Sequence, residues 1–315
     1  MGEIKLMRQY IEKNNILDTI GNTPLFQLKR VTNKLNGVSV YVKAEYYNPS
    51  GSVKDRAAYS MVLDGIKTGR LTKDKTIIDA TSGNTGISYA MIGAILGYKV
   101  ALCLPKNTSK TRKLLIRSYG AELIETSQLE GSDGAQLKAI ELSKNNSDKY
   151  FYPDQFNNDA NWKAHMNGTA PEIWEQTNKT VTHFVAGMGT SGTFMGTSKG
   201  LKQRNPNIKT IAMQPDSPIH GLEGMKHMQS TILPGIYDTS VIDDTIEVRT
   251  EDAEAMVLRL AKEEGLFVGI SSAANVVAVL NLAKTLPSGS VAVTILCDNG
   301  YRYVNEETWK GGVEF

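Results

Sequence analysis

Short β-branched runs alternate with helical stretches along almost the whole chain, and this alternation constrains its fold more than any other feature. "KTIIDA" (75–80) passes through a Gly-containing loop into the apolar "GISYAMIGAILGY" (86–98). "KVALCLP", a basic helical stretch around "SKTRKLLIRSYG", "AELIE" and a helical pattern near "GAQLKAIELSK" follow. The pattern restarts after about residue 150 with "KYFYPDQ", "NWKAHMNGTAPEIWEQ", "VTHFVAG", a helical stretch from Thr193, "NIKTIAMQP" and later "SVAVTILCD". Strand, helix, strand at this spacing means crossover connections, hence mostly parallel sheets with helices on both faces. A chain of 315 residues is long for one core. Two such blocks therefore predict two α/β domains. No Pro-rich or Ser-rich linker separates them, so the boundary is intimate and a cleft runs along it. Residues 215–240, "PDSPIHGLEGMKHMQSTILPGIYD" and its flanks, follow neither period, and an irregular stretch of that length in a compact domain is usually a lid or binding loop.

Charge and composition narrow the function classes. The net charge is +2, with no long single-sign run, which argues against nucleic acid and anionic membranes as partners. No window approaches the ~20 apolar residues of a membrane helix. The N-terminal "MGEIKLMRQYIEKNNILDT" mixes both signs and has no apolar signal core, so a cytoplasmic protein is expected. Cys103 and Cys297 lie in apolar runs and read as buried strand residues rather than disulfide partners or nucleophiles. His165, His183, His220 and His227 show no metal-ligand spacing, and no metal is expected.

Ligands in such folds bind at loops that follow the strands, and four loops carry the chemistry. In "NPSGSVKDR" (48–56) a Gly-containing turn leads into a helix, placing Lys54 in its first turn. The positive end of the helix dipole disfavours an ammonium there and so favours the neutral amine that Schiff-base chemistry needs. The plainer reading is a surface lysine beside Asp55 or Asp64. In "TSGNTG" (81–86) Thr81, Ser82, Asn84 and Thr85 surround Gly83 ahead of a helix start, a donor set suited to a carboxylate. An N-cap turn would use one such residue, not four. "GMGTSGT" (187–193) places Gly187, Gly189 and Gly192 in the G-x-G-x-x-G pattern between a strand and a helix, a phosphate cradle whichever cofactor brings the phosphate. A dinucleotide fold would also want an acidic residue about 20 positions on; Asp216 lies behind "NIKTIAMQP", so an NAD-dependent oxidoreductase remains an alternative at this point. In "GLFVGISSAA" (265–274) Ser271 or Ser272 reads as an N-cap, with a second role toward a ligand open.

Together, "IGNTPL" (20–25), "NPSGSVKDR", "ATSGNTGIS" (80–88), "DQFNN" (154–158), "HFVAGMGTSGT" (183–193) and "EGLFVGISSAA" (264–274) resemble the signatures of the cysteine synthase and cystathionine β-synthase family, the fold type II group of pyridoxal-phosphate enzymes. "APEIW" (170–174) and "CDNGYRY" (297–303) lean toward its cysteine synthase B branch. The resemblance implies two domains, each with a central, mostly parallel sheet flanked by helices, and an active site in the cleft between them. Residues 36–150 would form a smaller, mobile substrate-binding domain; residues 1–35 and 151–315 would form a larger domain holding the cofactor phosphate. It implies pyridoxal 5′-phosphate carried on Lys54, the catalytic residue. Asn84 would bond the cofactor's ring oxygen. Gly189, Thr190, Ser191, Gly192 and Thr193 would hold its phosphate, and Ser271 would face the pyridine nitrogen. Thr81, Ser82, Gly83, Thr85 and Gln155 would bind the substrate's α-carboxylate.

The implied reaction is β-replacement, in which O-acetyl-L-serine or O-phospho-L-serine and sulfide give L-cysteine through an aminoacrylate. Cystathionine synthesis, or sulfide release from cysteine, is the alternative within the family. A homodimer is implied by the resemblance alone. Ala273 stands where the family usually has Gly, which would tighten the pocket near the ring.

Overall fold

The computed structural model describes residues 15–304 apart from Ser82. Among the described residues ten strands form two sheets: β1 (Leu25–Gln27), β2 (Ser39–Ala44), β3 (Thr76–Ala80), β4 (Lys99–Pro105), β5 (Glu122–Thr126), β6 (Tyr150–Phe151), β7 (His183–Gly187), β8 (Lys209–Pro215), β9 (Asp244–Val248) and β10 (Val291–Leu296). The smaller sheet has the order β5-β4-β3-β6 and the larger the order β1-β2-β10-β7-β8-β9. Of these strand pairs among the described residues, only β1–β2 is antiparallel. Nine α-helices connect them: α1 (Lys54–Lys67), α2 (Asn84–Leu96), α3 (Lys110–Ser118), α4 (Gly131–Asn145), α5 (Asp159–Ala164), α6 (Ala170–Gln176), α7 (Gly192–Arg204), α8 (Thr250–Arg259) and α9 (Ile270–Ala283), counted among the described residues.

Strands covered on both faces should read as continuous apolar runs, and β4 does: every residue from Val100 to Pro105 is buried. One face of the smaller sheet packs on α1 and α2 through Ala57, Ala58, Met61, Ile87 and Ile92. Its other face packs on α4 through Ala135 and Ala139. The larger sheet is likewise covered by α8 and α9 on one side and by α6 and α7 on the other. This is the expected α/β architecture, with helices on both faces of two mostly parallel sheets. No helix of the described residues is long and apolar enough to cross a membrane.

Two expectations need correction. β2 falls within 36–150 yet belongs to the larger sheet, paired in register with β10 from Ser39↔Val291 to Ala44↔Leu296. The hairpin with β1 holds it there, and Val40, Val42 and Ala44 are wholly buried in that sheet. The chain therefore passes to the smaller sheet only between Glu45 and α1. The helix expected around "NWKAHMNGTAPEIWEQ" is interrupted by a π turn over His165–Thr169. Pro171, at the start of α6, has no N–H to donate into the preceding turn, and the widened turn absorbs that loss. Residues 216–238 form no regular element, as expected.

Candidate active site

The two sheets face each other across a cavity of about 560 Å³. Lys54, the β3–α2 loop, Gln155, the β7–α7 loop and the start of α9 all line it. Four motifs spread from residue 54 to residue 271 are thus brought to one space.

Lys54 is the first residue of α1. The preceding turn is tied to the end of β10, because the Val53 N–H donates to the Cys297 carbonyl at 2.8 Å. The flanking charges turn away from the cavity. Asp55 accepts from the Ser50 N–H at 2.7 Å and from the Ser88 hydroxyl at 2.5 Å. Arg56 enters a buried network with Glu45 and Glu172. Asp64 pairs with Arg70. The plainer reading of Lys54 as a surface lysine paired with Asp55 or Asp64 is therefore set aside: it is half-buried in the cavity wall.

The β7–α7 loop has the build of an anion cradle. α7 is a helix of 13 residues, and its first amides have no acceptor within the helix. Ser191 precedes it with φ +69°, a left-handed conformation that β-carbon residues rarely adopt, and its hydroxyl is buried with no partner. A Cβ at Gly192 would stand 2.0 Å from Asn161 Oδ1, so no other residue fits there without displacement. Asn161 in turn donates to the Gln155 carbonyl at 2.7 Å and to the Thr190 hydroxyl at 3.1 Å. The Thr193 hydroxyl lies 3.2 Å from His165 Nε2. Burial, reinforced by the Arg56 guanidinium, pushes the His165 pKa down to about 3, so the ring is neutral. Hydroxyls, a helix N-terminus and one unsatisfied buried oxygen fit a phosphate group.

The β3–α2 loop forms the facing wall. The Thr85 hydroxyl donates to Gln155 Oε1 at 3.2 Å, and Gln155 Nε2 reaches the Ala80 carbonyl at 3.4 Å. The Gly83 N–H donates to the Thr81 hydroxyl at 3.2 Å. Asn84 Nδ2 donates to Asp298 Oδ2 at 2.7 Å, and its Oδ1 accepts from Arg302. Ser82 lies outside the described residues. Ser271 lines the cavity as the second residue of α9. Neither Ser271 nor Ser272 caps that helix; Gly269 does, and Ser272 Oγ instead accepts from the Cys297 N–H at 2.8 Å. Gly269 starts the helix early because its missing side chain makes room for Asp298, whose Oδ1 would lie 2.3 Å from a Cβ.

Several residues that line or support the cavity had weak or no sequence signals. Asn161 is one of four asparagines in "FNNDANWKAHMN" and nothing in the spacing singles it out. Cys297 borders the cavity rather than sitting wholly within a strand core, and burial pushes its thiol up to about 11, which leaves it protonated. His220, His227 and Lys226, from the irregular stretch 216–238, also face the cavity. Asp216, needed for the dinucleotide reading, follows β8 and does not line it.

A family model described as pyridoxal-phosphate dependent enzyme matches residues 16–298. Cysteine synthase of Aquifex aeolicus is 49% identical over 297 residues, covering 93% of this chain and 91% of that protein. Cysteine synthase B of Escherichia coli is 42% identical over 287 residues, covering 91% and 93%. The crystal structure of cysteine synthase from Entamoeba histolytica superposes with a TM-score of 0.91 at 37% identity, over 96% of this chain and 92% of that one. The cofactor that the cradle fits is therefore pyridoxal phosphate, not a dinucleotide. The chain belongs to the pyridoxal-phosphate dependent enzymes, within the group that contains the cysteine synthases.

Proposed function

We propose that the chain forms L-cysteine from O-acetyl-L-serine and sulfide by β-replacement, with pyridoxal phosphate carried on Lys54. The observation that carries this reading is the placement of Lys54 in the same cavity as the unpartnered Ser191 hydroxyl at the start of α7. A lysine amine and a phosphate cradle on opposite elements of one cleft match a cofactor with an aldehyde at one end and a phosphate at the other.

The cofactor, when bound, supplies an electron sink for negative charge developing at the substrate's Cα. The protein's own groups do the rest. Gly189, Thr190, Ser191, Gly192 and Thr193 hold the phosphate, with the α7 dipole favouring its charge. Thr81, Ser82, Gly83, Thr85 and Gln155 bind the α-carboxylate and fix the substrate's orientation. Once free, the Lys54 amine accepts the Cα proton at Nζ as general base. Acetate then leaves from Cβ, and sulfide adds there. Ser271, which lines the cavity, would meet the ring nitrogen as a neutral partner and so leave the ring a moderate electron sink, enough for β-replacement. Asn84, whose amide is held by Asp298 and Arg302, would face the cofactor's ring oxygen. The cavity's position between two sheets suits closure of the β3–α2 loop over bound substrate, which excludes water from the reacting carbon. Homodimerisation and a cytoplasmic setting complete the proposal.

The test is direct: purified protein with O-acetyl-L-serine and sulfide should yield L-cysteine. Failure to do so, with sulfide released from L-cysteine instead, would shift the assignment to a cysteine-consuming enzyme. O-Phospho-L-serine, tried separately, reports which leaving group the cleft accepts.

A further inference from the structure

A chain of contacts runs from the mouth of the cavity to Asn84 through Arg112, Glu223, Tyr303 and Asp298. Arg112, on α3 beside the smaller sheet, is buried and binds both carboxylate oxygens of Glu223 in the irregular stretch after β8. The same guanidinium lies over the Tyr303 ring, 5.3 Å from its centroid. The Tyr303 hydroxyl donates to Asp298 Oδ2 at 2.5 Å, the oxygen that also accepts from Asn84 Nδ2 at 2.7 Å. Three separate parts of the fold thus meet at one side chain: the smaller sheet, the irregular stretch, and the segment after β10.

We propose that Arg112 is a positioning residue that couples the seating of Glu223 at the cavity mouth to the orientation of the Asn84 amide. The planar guanidinium grips a carboxylate with its edge and an aromatic ring with its face at once, which a lysine cannot do. Moving either sheet relative to the other must disturb one of these contacts. Tyr303 has little freedom to absorb the change, because it is 9% exposed and its hydroxyl is committed to Asp298. Asp298 is buried and packed against Gly269, so it transmits a shift rather than swinging away. An ordinary surface ion pair would have both partners in water. Here the Arg112 side chain is 10% exposed and the Glu223 side chain 42% exposed, so the cation is fixed and the anion is the movable end.

This inference rests on the reading that Asn84 faces the cofactor. Its test uses the full chain reconstituted with pyridoxal phosphate, and reads the visible circular dichroism of the bound cofactor alongside kcat and KM for O-acetyl-L-serine. Arg112→Met and Tyr303→Phe should shift the visible band in the same direction and lower kcat, by up to about 100-fold for a misplaced reacting geometry. The double variant should be no worse than the more severe single one, because both break the same chain of contacts. Glu223→Gln should shift the band the same way by less. If Arg112→Met fails to fold, Arg112→Lys, which keeps the charge but loses the fork and the flat face, should give an intermediate band.

Variants that keep the wild-type band and lose only thermal stability, or whose losses in kcat simply add, would overturn the coupling while leaving the proposed reaction intact. Wild-type protein that shows no cofactor band at all would defeat the reading of the site beneath it.

Discussion

Asn161 stands so close to Gly192 that a β-carbon at 192 would lie 2.0 Å from its Oδ1. The same amide donates to Gln155 on the substrate side and to Thr190 on the phosphate side. One buried asparagine therefore sets the spacing between the two halves of the site. Gly192→Ala should destabilise the protein by about 1–3 kcal/mol, as overpacking does. Asn161→Ala should cost a similar amount through the acceptors it leaves unpaired. The double variant should lose less than the sum, because Asn161→Ala removes the obstacle to the new methyl group. Thermal unfolding of the four proteins without cofactor checks this; strict additivity would show that the two residues are independent.

Ser191 holds a left-handed conformation at φ +69°, and its hydroxyl has no protein partner. Ser191→Gly should relieve about 1 kcal/mol of backbone strain and raise the melting temperature of the cofactor-free protein. It should also weaken cofactor retention, since a phosphate ligand is lost. Unchanged or improved cofactor retention in the variant would contradict the assignment of Ser191 to the phosphate.

Glu172 binds Arg56 through both oxygens, each at 2.7 Å, and Lys43 at 2.6 Å. Burial opposes its ionisation, but Arg56 and Lys43 prevail and hold its carboxyl down at about 2. A carboxyl whose folded pKa is depressed stabilises the fold above its unfolded value of about 4.3 and loses that contribution as pH falls toward 2. Glu172→Ala leaves two cations without this partner and should cost about 3–5 kcal/mol at neutral pH. Denaturant titrations at pH 7 and pH 3 should show the difference between wild type and variant shrinking in acid.

Asp79 titrates in the opposite sense. It lies at the end of β3, where its Oδ1 accepts from the Ala80 N–H at 2.7 Å and its Oδ2 is buried without a partner. Burial pushes its carboxyl up to about 7, with the negative charge of Asp154 adding to the rise and the Ala80 N–H opposing it. A raised carboxyl pKa favours the folded state most below its unfolded value of about 3.9, and that advantage is lost as pH rises through 7. Asp79→Asn should therefore gain stability relative to wild type as the pH is raised from 5 to 8. Parallel pH profiles for the two proteins would show that Asp79 is not the group responsible.

Much of this was legible in the chain itself, for physical reasons. The apolar runs of β4, β8 and β10 and the glycine punctuation around 83, 189 and 192 are local signals, and they placed the parallel strands and their loops. Lys54, Asn84, Thr85, Gln155, Thr190, Thr193 and Ser271 were all brought to one cavity, although 217 positions separate Lys54 from Ser271 (271 − 54). What local reading missed depends on partners distant in sequence. The β2 strand is placed in the larger sheet by β10, some 250 residues later, and nothing within "SVYVKA" announces that choice. The pairing of Arg112 with Glu223 and the wedge of Asn161 against Gly192 exist only once two elements have packed. Serine at the start of α9 misled for a related reason: Gly269 takes the cap because Asp298 needs the space.

The central claim is that Lys54 carries the cofactor, and one measurement reaches it most directly. The purified protein, loaded with pyridoxal phosphate and reduced with borohydride, should lose its yellow colour and retain a phosphopyridoxyl group on a single peptide, which mass spectrometry should assign to Lys54. Lys54→Ala should take up no such group. A label on another lysine, or none on a protein that nevertheless makes cysteine, would contradict the account.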